Sequence, residues 1–82
     1  MSVATEVCRM VEERLGPDAF MLVEVGVVIG DDSGLEPENL QFCLESLLGI
    51  PPFRGATPVL TRCGGDVLRL SYLEIDDERQ DD

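Results

Sequence analysis

The 82 residues predict an α+β domain, with two amphipathic helices packed on one face of a small three-stranded sheet in the order α-β-α-β-β. Three observations carry that prediction. The stretches Ser2–Leu15 and Pro37–Leu48 repeat apolar residues at helical spacing. Between them, Phe20–Gly30 alternates valines as a half-buried strand does. After them, Pro58–Ile75 holds two strand-like runs separated by Gly64-Gly65, which reads as a hairpin. Elements in this order bury their apolar sides most simply as one layer of helices on one sheet.

In the first helix Val3, Val7, Met10, Val11 and Leu15 form the stripe, and Gly16-Pro17 ends it. Val23, Val25, Val27 and Ile29 are expected on one face of the first strand, with Glu24 facing outward. Gly30-Asp-Asp-Ser-Gly34 is a turn: glycine reaches positive φ, and short acids bond their own backbone. Pro37 suits the first position of the second helix, and Glu36 and Glu38 suit the positive end of its dipole. Leu40, Cys43, Leu44, Leu47 and Leu48 make its apolar stripe, and Gly49 with Pro51 stops it. Phe53 is expected to pin the proline-containing connector onto the core, and Val59–Cys63 and Val67–Ile75 to be the arms of the hairpin. Residues 1–75 thus form a single domain, and 76–82, with five acids and one arginine, a solvated and frayed acidic tail.

Composition excludes several functions. The net charge is −11, from 17 acids against 6 bases, so phosphate backbones would be repelled and no nucleic acid is expected as partner. No apolar run approaches the ~18 residues of a membrane span, and the start lacks a basic region followed by an apolar one; a cytoplasmic location without membrane contact is expected. There is no histidine, which removes the commonest general base and the usual triads, so no enzyme is expected. Asp31-Asp32 lacks the alternating acids of a calcium loop and reads as a solvated turn. Cys8, Cys43 and Cys63 are odd in number and suggest reduced thiols: Cys43 in the core, Cys8 half-buried, Cys63 exposed beside the glycine turn.

Ile29-Gly30, Ser33-Gly34, Pro37-Glu38 and Leu40-x-Phe42-x-x-Glu45, in that order and spacing, resemble the HypA/HybF family of hydrogenase-maturation nickel metallochaperones. The first helix through Val11-Glu12-Glu13 and the last strand, Asp66–Ile75 with Ser71 and Leu73-Glu74-Ile75, are similar to the same family, so the resemblance spans nearly the whole chain. Two departures qualify it. The family opens Met-His-Glu and holds nickel through that histidine, whereas this chain opens Met1-Ser2-Val3. The family's zinc module of two C-x-x-C pairs is replaced by Ile50–Gly65 with the single Cys63, so no zinc is expected.

The resemblance implies an accessory protein of nickel-hydrogenase maturation. Its partners would be the maturation GTPase and the immature hydrogenase, its partner-binding residues Ser2, Val3 and Glu6, and its nickel binding weakened or lost. A metal site on other ligands would draw on the N-terminal amine, deprotonated backbone amides, Cys8 or Cys63, and acids. The alternative is a small acidic interaction or regulatory module that reuses the fold without metal. The open edge of a three-stranded sheet also makes a homodimer physically reasonable.

Overall fold

The computed structural model describes residues 3–76. Helix α1 spans Val3–Leu15, strand β1 Leu22–Gly30, helix α2 Pro37–Leu47, strand β2 Thr57–Cys63 and strand β3 Leu68–Ile75. The α+β class and the order α-β-α-β-β are as the sequence predicts. The acidic tail from 77 onward lies outside the described residues, as does Ser2.

One core joins the two layers. Ala4, Val7, Cys8 and Val11 of α1 and Leu40 and Leu44 of α2, with Leu48 just beyond it, are buried against Val25, Val27 and Ile29 of β1. Phe53 is buried in the same cluster and anchors the connector after α2, in which the Pro51–Pro52 bond is cis.

Three local expectations are corrected. The first strand begins at Leu22 rather than Phe20, because Gly16–Met21 winds into a 3-10 turn with Pro17 near its start. Val23 is 43% exposed and is not on the core face. A register shift between Leu22 and Glu24 leaves it as an extra residue, so the buried position passes to Leu22. Cys43 is only half-buried, on the flank of the α2 stripe.

The largest correction concerns the end of the chain. β2 and β3 do not form a hairpin: the sheet order is β2-β1-β3, with β2 parallel and β3 antiparallel to β1. Adjacent strands lie about 4.8 Å apart, so the link must cross about 10 Å over the end of β1, within reach of the four residues Gly64–Val67. The end of β1 fixes that crossing. The Gly30 amide donates to the Val67 carbonyl at 2.7 Å, Asp31 to Cys63 at 2.8 Å, and Asp32 to Gly65 at 2.9 Å. A two-glycine hairpin turn would have left these three amides without those acceptors.

Gly30 permits the close pass. A Cβ there would come within 2.6 Å of the Val67 nitrogen and still nearer the Gly65 carbonyl oxygen. Gly26, on the face turned away from the helices, lies beneath the Tyr72 ring. The Tyr72 hydroxyl donates to the Glu24 carboxylate on that face, so Glu24 is outward as expected.

Candidate functional site

Of the residues expected to form the N-terminal site, Val3 and Glu6 are described, and they have different surroundings. Val3 packs at the mouth of a crevice of about 210 Å3, where the start of α1 meets Leu35, Asn39 and Cys43 of the α2 region. Glu6 does not line that crevice. Its carboxylate accepts from the Arg9 guanidinium, which also donates to Glu13. Hydrogen bonding to Arg9 holds the Glu6 carboxyl below its ordinary range. Ser2 lies outside the described residues.

Cys8 is 8% exposed, deeper than its neighbours in the sequence suggested. Burial, reinforced by the Glu12 charge, pushes its thiol up to about 11, so it stays protonated at neutral pH. Cys63 is half-buried at the end of β2, not exposed. Asp31 is engaged by Arg62, whose Nε and terminal nitrogen both reach the same carboxylate oxygen at 3.1 and 2.9 Å. Among the described residues, no three His, Cys, Asp or Glu side chains come together as a metal site. With no imidazole in the chain and Cys8 held as a thiol, the described donors do not match an imidazole-based nickel site.

A different surface holds four residues of the resemblance, Pro37, Glu38, Phe42 and Glu45. Pro37, Glu38, Gln41, Phe42 and Glu45 of α2 line a groove of about 290 Å3 against Leu60 of β2. Phe42 is 67% exposed, the most exposed large hydrophobic side chain among the described residues. Its position follows from the helical period: Leu40 and Leu44 are buried, which turns the residue midway between them outward. Gln41 fixes the wall of the groove, its amide donating to the Pro58 carbonyl and to Glu45, each at 3.0 Å. The result is an aromatic ring on a rigid helix face, rimmed by the acids Glu38 and Glu45. Such a surface suits an apolar pocket with a basic rim on another protein.

The sequence alone points to Ser2, Val3 and Glu6 as partner contacts and does not single out this groove. The signal was present: Phe42 falls out of phase with the stripe of Leu40, Cys43, Leu44, Leu47 and Leu48. No family model, curated protein or solved structure matches the chain. No helix among the described residues is long and apolar enough to cross a membrane.

Proposed function

We propose that this chain is an accessory protein of nickel-hydrogenase maturation that acts through protein–protein contact, with the α2 groove as its docking surface. The observation that carries the reading is Phe42. An aromatic side chain that helps neither the core nor solubility stands exposed within the motif that resembles the HypA/HybF family, between Glu38 and Glu45. Two such acids would steer a basic partner surface, and the ring would supply the buried anchor.

The test is capture of the purified maturation GTPase, or of the immature hydrogenase subunit, by the untagged chain. Binding to either, weakened at least tenfold by Phe42→Ala with circular dichroism unchanged, supports the reading. An unfolded variant would point instead to a packing role, but the exposed ring makes that outcome contrary to expectation. Failure of the unmodified chain to bind either protein would overturn it.

A second reading has its own support in Cys8. Cys8, one of the two thiols that could serve a metal site, is buried and protonated. In that reading the chain is a small acidic interaction module that presents the same groove to a basic protein without handling nickel. Calorimetric titration of the native, untagged chain with Ni2+, against Zn2+, tests the second reading. Tight one-to-one nickel binding excludes the second reading, and its absence excludes a chaperone role while leaving the docking test above to decide the first.

A further inference from the structure

We propose that β3 is the interface of a symmetric homodimer, in which its open edge pairs antiparallel with the same edge of a second copy. β3 is hydrogen-bonded to β1 on one side only. In an antiparallel ladder, successive residues direct their backbone groups alternately toward and away from the neighbour. Val67 faces β1, since its carbonyl accepts from Gly30 at 2.7 Å, and Asp76 faces it too, donating to Met21 at 2.8 Å. Between them the register places Leu70 opposite Val27 and Tyr72 opposite Gly26, which leaves Ser71 as the extra residue of a bulge. Counting inward from both ends, Arg69, Tyr72 and Glu74 turn their backbone groups to β1. Leu68, Leu70, Leu73 and Ile75 turn theirs to the open edge.

That set of four is symmetric about the midpoint between Ser71 and Tyr72. A two-fold axis there sets Leu68 against the partner's Ile75 and Leu70 against the partner's Leu73, each pair exchanging both hydrogen bonds. No other antiparallel register brings all four open residues opposite open residues. The bulge falls on the axis and meets its own copy.

The side chains agree on both faces of the sheet. Leu68, Leu70, Leu73 and Ile75 are in register with Ile29, Val27, Val25 and Leu22 of the core face, so leucine and isoleucine meet their counterparts beside the helices. Leu68 and Ile75 are each 37% exposed in the single chain, an apolar stripe left partly uncovered beside an open groove under Met10. Arg69 and Glu74 are in register with Val28 and Glu24 on the opposite face. The same axis puts Arg69 against the partner's Glu74 and Glu74 against the partner's Arg69. Among the described residues, neither has an ion-pair partner within the chain. The other edge is less suited: β2 carries Pro58, which has no amide hydrogen, and α2 reaches its carbonyl through Gln41 at 3.0 Å.

The experiment is sedimentation equilibrium on the full chain, from micromolar to roughly millimolar concentration. The expected mass is twice 9.0 kDa. Arg69→Glu and Glu74→Arg each set like charges opposite one another twice, and each is expected to weaken the dimer by roughly tenfold or more. The double variant exchanges the charges and is expected to restore it. Both positions are exposed, so circular dichroism should be unchanged, and either single variant reads the same contact. A monomer over the whole range, a dimer that both single variants leave intact, or a double variant as weak as the singles would overturn the proposal.

Discussion

Cys8 shows how one side chain can report on the whole fold. Its thiol is pushed up to about 11 in the folded chain, from an ordinary 9.0, because burial and Glu12 penalise the thiolate. The native state therefore keeps its proton where the unfolded chain has lost it. Stability tied to this group is complete below about pH 9 and is lost as pH rises from there to about 11. Urea unfolding at pH 7, 9 and 10.5 should show a falling midpoint, and Cys8→Ala should flatten much of that fall. Tyr72 titrates in the same direction, raised first by its hydrogen bond to Glu24, so a smaller alkaline loss should persist in the variant. An undiminished fall in Cys8→Ala would mean that the thiol is not what the alkaline range is reading.

The crossing from β2 to β3 depends on what stands next to two glycines of β1. A methyl group at Gly30 meets the Gly65 carbonyl and the Val67 nitrogen, which are backbone atoms tied into β1 and unable to withdraw. A methyl group at Gly26 meets first the ring of Tyr72, 2.7 Å from its Cζ and nearer still to Cδ2 and Cε2, and that exposed side chain can swing aside. Gly30→Ala is thus expected to destabilise by about 3 kcal/mol or more and Gly26→Ala by about 1 kcal/mol, compared by chemical denaturation. The reverse ranking would mean that the crossing loop is looser than its three amide bonds indicate. The same loop marks the limit of sequence reading. Helical stripes and the turn after β1 are local patterns, and Val3–Leu15 and Pro37–Leu47 lie within a residue of their expected bounds. Strand partnership is not local. Gly64-Gly65 between two apolar runs looks the same whether it closes a hairpin or steps over a central strand. Val23 failed for a related reason: a bulge shifts the phase of alternation, and only the neighbouring strand reveals it. The α2 groove was half legible, since Phe42 is visibly out of phase with its helix, but its wall at Leu60 comes from a strand far along the chain.

At the scale of the molecule, charge opposes compaction. The chain carries −11 in 9.0 kDa, and only Arg9 and Arg62 among the described arginines are engaged by acids. Added salt screens this self-repulsion more than it weakens the two exposed ion-pair clusters, each worth little on its own. The thermal midpoint should therefore rise by roughly 5 °C between low salt and about 0.5 M sodium chloride, followed by circular dichroism. A fall with salt would mean that Arg9 with Glu6 and Glu13, and Arg62 with Asp31, outweigh the general repulsion.

The central place of β1 also bears on how the chain is made. A ribosome delivers α1 and β1 before either strand that flanks β1, since β1 ends at Gly30, β2 begins only at Thr57, and β3 follows it. Until Thr57–Cys63 has emerged, an apolar strand hangs without a strand on either side, and until Leu68–Ile75 follows one side stays open. The sheet must therefore wait for the residues that flank β1, and for that interval the nascent chain offers Leu22–Ile29 to chaperones or to other nascent chains.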